Sequence, residues 1–337
     1  VVLKPSEVAP HSGGIIGDLA VEAGLPEGVV TVVHGYGDTG AALVEAADVL
    51  AFTGSTEVGR KIAQEAVGTF KPLILELGGK DAMIVLEDAR LKDAARTAAS
   101  FATFNAGQTC VGVERVYVVD EVYDEFVDYA MEAMGSLNAG EGDRGDIGPM
   151  IDPHQVEVIE AHVDDAVARG ATIAMGGHRH ETTGAVYYEP TVVLNVNHAM
   201  DLMREETFGP VLPIMRVPDE ATALHLANDS KYGLHGSVWT RDKRRGERIA
   251  SRMKTGTVAV NDHLINFFYP SIKLGGIGES GIGGVMSGDG IRSFCVHKSI
   301  TQARFRPTTM VLGGWLPRRV GPRWWKLLAK ALFGWRR

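Results

Sequence analysis

The chain has 337 residues, of which 45% are hydrophobic and 23% charged, with a formal net charge of -8. This is ordinary globular usage, and it excludes a collagen-like fibre, a disordered tail and a polytopic membrane protein. The acidic balance argues against nucleic-acid binding as the main role. The two cysteines, Cys110 and Cys295, are too few for a disulfide framework and favour a reducing, cytoplasmic compartment.

The first 80 residues alternate short apolar runs with helical patterns, which predicts βαβ units and a parallel sheet. Strands are predicted at 1–3, 29–33, 49–52 and 73–75, the first two buried, and helices at 10–23, 38–46 and 55–67, the last with Ser55 as its N-cap. The chain begins inside a strand, without Met or a signal peptide. We therefore expect a fragment, with residues 1–78 as the remainder of a Rossmann-like domain.

A second α/β domain is predicted over residues 79–275. Its predicted strands are 82–86, 116–119, 171–175, 192–194, 211–217, 236–239 and 257–260, and its helices are 91–105, 121–137, 153–169, 219–229 and 242–253. Residues 138–150 and 177–185 are predicted as loops. The glycine-rich residues 275–290 are predicted as a long flexible stretch, and a further strand is expected near 295–304.

The last segment, 307–337, has seven basic residues, no acidic residue and four of the five tryptophans. Its apolar residues recur at i, i+4, i+8 and i+11, on one face of a helix, at Trp324, Leu328, Leu332 and Trp335. Such a helix of about 20 Å is too short to span a bilayer. Residues 322–337 are therefore predicted to lie on an anionic membrane surface, peripherally on the inner membrane. Packing of this face against the acidic body or a partner subunit is the equally weighted alternative.

Cys110 lies in Gly107-Gln108-Thr109-Cys110-Val111-Gly112, a turn that follows the predicted helix 91–105 and can present a thiol to a cleft. A nucleophilic cysteine there needs a lowered pKa, supplied by backbone donors or a nearby cation. A lone cysteine is more often a small buried hydrophobe, so this motif alone does not decide. Cys295 lacks such a setting and is assigned a structural role.

Glu76, in Leu75-Glu76-Leu77-Gly78-Gly79-Lys80, follows directly after an apolar strand, and α/β folds place their sites at strand ends. A partly buried glutamate with a raised pKa suits a general base acting on water. The alternative is a loop residue paired with Lys80. The segment FTGSTEVG, 52–59, places a helix N-terminus where it suits a pyrophosphate, although it is not a G-x-G-x-x-G motif.

Two further motifs carry charged residues next to predicted strand ends or turns. In Lys4-Pro5-Ser6-Glu7 the ammonium and the carboxylate are suited to bind the hydroxyl groups of a ribose. The alternative is a surface salt bridge between them, which contributes little to stability. In Arg204-Glu205-Glu206-Thr207-Phe208-Gly209-Pro210 a loop acid can grip a hydroxyl-rich ligand, and a solvated turn is the alternative.

In this order and at these separations, KPSE, FTGSTEVG, LELGGK, GQTC and EETFGPV resemble the NAD(P)-dependent aldehyde dehydrogenase superfamily, from residue 1 to about 305. The most specific pair is LELGGK with GQTC, in which Cys110 follows Glu76 by 34 residues. The resemblance implies an α/β fold with the site between the two domains. It also implies an aldehyde substrate, NAD (with NADP as the second choice), no metal, and a homodimer or homotetramer that uses a strand from 276–306.

The resemblance also implies residue roles. Cys110 attacks the aldehyde, hydride transfer to the nicotinamide leaves a thioester, and Glu76 activates water for its hydrolysis. Lys4 and Glu7 hold the adenosine ribose, so that Glu7 disfavours the 2′-phosphate of NADP. The implied cofactor-binding positions are Lys4, Glu7, Gly35, Phe52, Thr53, Gly54, Ser55, Leu77, Gly78, Glu206 and Phe208.

The chain departs from the family pattern in two ways. The family's Pro-Trp-Asn-type motif, which supplies a second oxyanion donor, would precede residue 1. The second departure is the basic tail. A CoA-acylating enzyme is an alternative that Glu76 argues against, because thiolysis needs no such base. A catalytically inactive relative is a second alternative. The presence of Cys110, Glu76 and Glu206 argues against it.

The substrate is not defined by the motifs. Residues 110–118 resemble bacterial succinate-semialdehyde dehydrogenases, in which a cation would hold the distal carboxylate. Arg115 is the candidate cation, and a structural role is the alternative for it. An apolar entrance is suggested by Val111, Val113, Phe268 and Tyr269.

Overall fold

The computed structural model describes residues 1–140, 145–182 and 184–302, together with Lys326, Leu327 and Lys330. The chain divides into two compact units, Val1–Phe294 and Cys295–Arg337. The predicted division at residues 78 and 275 stays a prediction.

Strands and helices alternate through the first unit, as the sequence predicts. The strands are β1 (Val2–Leu3), β2 (Thr31–Val32), β3 (Leu50–Thr53), β4 (Leu73–Glu76), β5 (Ala82–Val85), β6 (Arg115–Val119), β7 (Thr172–Met175), β8 (Arg179–Thr182), β9 (Ala185–Tyr188), β10 (Thr191–Leu194), β11 (Val211–Val217), β12 (Tyr232–Gly233), β13 (Gly236–Trp239), β14 (Ala259–Val260), β15 (Ile277–Gly278) and β16 (Gly281–Ile282). The helices are α1 (Pro10–Glu22), α2 (Gly37–Ala46), α3 (Thr56–Val67), α4 (Leu91–Thr103), α5 (Tyr123–Gly135), α6 (Pro153–Ala168), α7 (Glu220–Asn228), α8 (Lys243–Ala250) and α9 (Ser287–Arg292).

A seven-stranded sheet organises most of this unit, in the order β14-β13-β5-β6-β11-β10-β7. All its pairs are parallel except the antiparallel edge strand β7. Side chains alternate between its faces, so that Met83 and Val85 join the cluster that contains α4 and α5, while Ile84 joins the one that contains α6, α7 and α8. This three-layer arrangement confirms the predicted α/β class.

The first four strands form two separate parallel pairs, β1 with β2 and β3 with β4. Strands are present within residues 1–3 and 29–33, but the prediction that they are buried is wrong, because Val2 is 51% and Val29 43% exposed. Helix α1 packs against β2, where a Cβ at Gly17 would lie 2.8 Å from the Val32 side chain, but two-residue strands leave part of the pair exposed.

Two predicted irregular regions contain regular structure. The predicted loop at 177–185 includes an antiparallel hairpin of β8 and β9, in which His180 pairs with Tyr187 and stacks on it at 5.1 Å. The residues of β8 are polar like those of a loop, so the sequence pattern does not predict a strand there. The cross-strand contact between His180 and Tyr187 stabilises the pairing instead. The predicted flexible stretch at 275–290 contains β15, β16 and the start of α9. A Cβ at Gly281 would lie 1.9 Å from the Leu75 carbonyl oxygen, so its glycine permits strand pairing.

In the second unit, the described residues 295–302 form no strand, which contradicts the strand expected near 295–304 over that part. The predicted surface helix, 322–337, lies outside the described residues except for three positions. Lys326, Leu327 and Lys330 are helical and exposed. Over the part of the chain that the structure describes, no helix is long and apolar enough to cross a bilayer.

Candidate active site

The carboxyl ends of β3 and β4 place two of the motifs side by side. Thr53 and Glu76 are register partners in this parallel pair, and the Gly54 N–H donates to the Glu76 carbonyl oxygen at 3.1 Å. Parallel strands that end at one edge bring their following loops together. Glu76 is therefore the last residue of a strand beside the FTGS turn.

The turn before Cys110 is conformationally unusual. Asn105 and Ala106 have φ of 54° and 60°, in the left-handed region, and Gly107 follows at 73°. Such a backbone costs free energy in a residue that carries a Cβ, so the surrounding structure must hold it. A Cβ at Gly107 would lie 2.1 Å from the Gly209 carbonyl carbon, and the cysteine turn is thus pressed against the EETFGP loop.

Gly78 and Gly79 allow the Glu76 segment to touch both neighbouring loops. A Cβ at Gly78 would lie 2.3 Å from Oε2 of Glu206, and one at Gly79 would lie 2.6 Å from the Cys110 carbonyl oxygen. The Gly79 N–H donates to Oε1 of Glu206 at 2.9 Å. The structure therefore brings LELGGK, GQTC and EETFGP together around Cys110.

The thiol of Cys110 is partly exposed, and its pKa is raised to about 11. Burial is the main cause, followed by the negative charges of Asp81 and Glu206, with Glu76 adding to them. The lowered pKa that the sequence analysis asks for is not found in this structure, because the thiol is mostly buried and carboxyl groups lie around it. At neutral pH the residue is a thiol that must give its proton to a base before it can attack.

Two carboxyl groups beside the thiol titrate near neutrality. Burial raises the pKa of Glu76 to about 7, against the opposing charge of Lys273, and its Oε1 is buried without a hydrogen-bond partner. The pKa of Glu206 is also raised to about 7, by burial and then by the charge of Glu114. Both are suited to accept a proton at pH 7, as the sequence predicts for Glu76.

A buried ion pair, which the sequence analysis does not predict, holds the EETFGP loop. Lys80 pairs with Glu114 at 2.6 Å rather than with Glu76, which removes that alternative for Glu76. Glu114 also accepts hydrogen bonds from the backbone N–H groups of Thr207 (3.2 Å) and Phe208 (3.0 Å). These bonds hold Phe208 at φ 51°, a left-handed conformation that is uncommon for a bulky residue.

The residues predicted for the adenosine ribose lie together. The Lys4 ammonium donates to the Gly35 carbonyl at 2.8 Å and lies 3.5 Å from the Glu7 carboxylate, so the predicted salt bridge exists as well. The pKa of Glu7 is lowered by its own backbone N–H and then by Lys4, against the opposing effect of burial, which keeps it ionised. A ribose hydroxyl would therefore meet an acceptor here.

The helix that follows the FTGS turn begins as predicted. Ser55 is its N-cap and accepts from the Val58 N–H at 3.3 Å. A Cβ at Gly54 would lie 2.5 Å from the Phe52 ring, and one at Gly59 would lie 2.4 Å from the Leu77 side chain. The close packing sets the first turn of α3 beside β4, where its N–H groups suit a phosphate.

Burial removes Val111 and Val113 from the predicted substrate entrance, while the place of Phe268 and Tyr269 at that entrance stays a prediction. Val111 and Val113 are 5% and 1% exposed and belong to the interior, whereas Phe268 and Tyr269 are 79% and 53% exposed. Arg115 is also buried and cannot hold a substrate carboxylate. Its donors bind the Lys80 carbonyl (2.9 Å), the Tyr117 hydroxyl (3.0 Å) and the Ala227 carbonyl (3.1 Å).

A cysteine beside two proton-accepting carboxyl groups in an α/β fold is typical of enzymes that form a covalent acyl intermediate. Residues 1–300 match the sequence model of the aldehyde dehydrogenase family. The chain belongs to this family, as the motifs indicate.

Three comparisons illustrate the match. The chain is 42% identical over 295 residues to 4,4'-diapolycopene aldehyde oxidase of Methylomonas sp, covering 87% of this chain and 55% of that protein. It is 40% identical over 300 residues to glutarate-semialdehyde dehydrogenase of Pseudomonas aeruginosa, covering 87% and 61%. The structure of an NAD-dependent aldehyde dehydrogenase from Sinorhizobium meliloti superposes with a TM-score of 0.84 at 35% identity, covering 87% and 59%. The chain thus spans about 55 to 61% of the length of these proteins.

Proposed function

We propose that the protein containing this chain oxidises an aldehyde to the carboxylic acid with NAD, through a thioester on Cys110 that is hydrolysed with Glu76 as the base. NADP is the second choice of cofactor. The observation that carries the proposal is the unpaired Glu76 oxygen, on a carboxyl with a pKa of about 7, next to the Cys110 turn.

The residues account for each proton. Because the Cys110 thiol has a pKa of about 11, it gives up its proton, to solvent water, as sulfur bonds to the aldehyde carbon. The Cys110 backbone N–H stabilises the resulting oxyanion. NAD, when bound, supplies the acceptor for the hydride that this carbon then loses, which leaves the thioester. In hydrolysis the ionised Glu76 takes a proton from water as the water oxygen bonds to the acyl carbon, the C–S bond breaks, and Glu76 returns that proton to sulfur.

The residues fit a dinucleotide by their chemistry. Glu7 offers a carboxylate to the adenosine ribose, beside Lys4. The Ser55-capped turn offers backbone donors to the pyrophosphate. Glu206, fixed by the Gly79 N–H, offers its second oxygen to the nicotinamide ribose near Cys110. Phe208 lies in the same loop.

The substrate that fits best is an apolar aldehyde without a distal carboxylate. Arg115, the cation that the sequence suggested for such a carboxylate, uses its donors inside the protein. The exposed Phe268 and Tyr269 offer apolar surface instead. The Methylomonas relative is an oxidase of a diapolycopene aldehyde by its name, and the Pseudomonas relative acts on a semialdehyde by its name, so both classes must be tested.

The test is a kcat/KM series over aldehydes of increasing chain length, each with and without a distal carboxylate, with NADH formation as the signal. The proposal expects kcat/KM to rise with apolar length and to fall when the carboxylate is added. Free acid as the product, with and without CoA, supports hydrolysis, whereas acyl-CoA would show the acylating alternative. A preference for carboxylated substrates would contradict the substrate assignment. Membrane contact through 322–337 and assembly as a homodimer or homotetramer stay predictions.

A further inference from the structure

Two wholly buried imidazoles lie behind the cysteine turn. Nε2 of His263 is 3.0 Å from the carbonyl oxygen of Val111, the residue after Cys110. Nδ1 of the same ring is 2.9 Å from the hydroxyl of Ser237, in strand β13, the second strand from one edge of the seven-stranded sheet. His263 therefore links the backbone beside the thiol to the sheet.

The second imidazole supports the first. Nε2 of His235 contacts the His263 carbonyl oxygen, and its Nδ1 is 2.8 Å from the Thr257 hydroxyl. The two rings meet edge-on at 4.8 Å. The His235 backbone N–H donates to Oδ1 of Asp81 at 3.0 Å, so both ends of this residue are held.

The partners define where the protons are. A carbonyl oxygen can only accept, so Nε2 carries the hydrogen in both rings, and each Nδ1 accepts from a hydroxyl. Burial keeps both imidazoles neutral, since it lowers the pKa of His235 to about 4 and that of His263 well below its usual value. The result is two directed chains of hydrogen bonds. One runs from the Thr257 hydroxyl through the His235 ring to the His263 carbonyl, and the other runs from the Ser237 hydroxyl through the His263 ring to the Val111 carbonyl.

We propose that His263 is a positioning residue for the nucleophile, which holds the Val111 carbonyl and thereby Cys110 at a fixed place over the sheet, with His235 holding His263. This rests on the proposed role of Cys110. The left-handed residues Asn105 and Ala106 strain the chain before the thiol, so an anchor is needed after it. The Phe101 ring, in the helix that leads to the cysteine turn, lies 5.6 Å from the His263 ring and adds a second contact.

The decisive comparison is between His263→Gln and His263→Leu. Glutamine can present a side-chain N–H to the Val111 carbonyl, whereas leucine fills similar space without a donor. A displacement of about 1 Å at a reacting atom costs about 100-fold in rate. We expect His263→Leu to lower kcat by about 100-fold with KM changed less than about threefold, and His263→Gln to recover at least about tenfold of that loss. The matched control is the exposed His225 of α7, where Leu and Gln leave both constants unchanged.

A second readout does not need turnover. In a Cys295→Ala background, so that the exposed second thiol cannot react, the rate at which iodoacetamide alkylates Cys110 is measured in the same variants. The expected change is at least about fivefold for Leu and less than about twofold for Gln, at equal circular dichroism. If His263→Leu does not fold, Ser237→Ala keeps the imidazole but removes the donor to Nδ1, and kcat must fall by at least about fivefold.

The outcomes separate this inference from the proposed function. If Cys110→Ala is inactive while both His263 variants keep the parent kcat and alkylation rate, the positioning role is refuted and the proposed function stands. If Gln and Leu lower kcat equally, His263 is only a packing residue, and the inference is wrong. If no aldehyde is oxidised at all but alkylation of Cys110 follows the expected order, the proposed function fails while the positioning of the thiol is supported.

Discussion

Replacing Glu114 by glutamine tests whether the buried ion pair between Lys80 and Glu114 stabilises the EETFGP loop. The side chains of Lys80 and Glu114 are 0% and 7% exposed, and their charged groups are 2.6 Å apart. Glutamine has a single oxygen, whereas the Thr207 and Phe208 N–H groups bond to different carboxylate oxygens of Glu114, so one of them loses its acceptor. The Lys80 ammonium loses its countercharge and keeps the Thr207 hydroxyl at 3.1 Å. An uncompensated buried charge of this kind costs about 3–5 kcal/mol, so we expect Glu114→Gln to lower the free energy of unfolding by that amount.

The double variant Lys80→Met/Glu114→Gln isolates the charge. It removes the unpaired ammonium while glutamine keeps an acceptor for one of the two backbone N–H groups, and it should recover the part of the loss that the unpaired charge causes. The assay is urea unfolding followed by tryptophan fluorescence and circular dichroism at pH 7. As a control, Glu57→Gln breaks the exposed pair with Lys61 and should cost less than about 1 kcal/mol. A loss below about 1 kcal/mol for Glu114→Gln, or no recovery in the double variant, would refute the reasoning.

Three other predictions follow from the site and the tail. Because Glu76 must be ionised to accept a proton and its pKa is about 7, thioester hydrolysis should slow as the pH falls below about 7, and a stopped-flow pH profile of Glu76→Gln should lack that limb. Glu7→Gln should raise kcat/KM with NADP relative to NAD by about tenfold or more, since it removes a negative charge from the 2′-phosphate; an unchanged ratio would count against the ribose assignment. Anionic liposomes should co-sediment the full chain but not a version ending at Pro307, and equal sedimentation would leave the packing alternative for 322–337.

The sequence predicted best what depends on local order and strand direction. The alternation of strands and helices placed Glu76 at the end of β4 and Ser55 at the start of α3, because both follow from neighbouring residues. Parallel pairing then brings Thr53 and Glu76 together without further information. The α/β class and the joined motifs could therefore be predicted.

What could not be predicted depends on pairs of residues distant in the chain. Lys80 and Glu114, and likewise His235 and His263, meet only because the sheet brings them together, and each residue alone looks ordinary. The raised pKa of Cys110 has the same origin, since it depends on burial and on carboxyl groups from other segments. The failure of Arg115 as a substrate cation is another tertiary effect, because its donors bind carbonyls across the core.

The most direct test of the central claim is to trap the acyl group on Cys110. The protein containing this chain, with Glu76→Gln, is mixed with NAD and an apolar aldehyde, and both NADH and the intact mass are followed. The account predicts a burst of about one NADH per site without turnover, and a mass increase equal to one acyl group on the peptide that contains Cys110. Cys110→Ala should give neither signal. Full turnover by Glu76→Gln, or an acyl group found on Cys295 instead, would contradict the account.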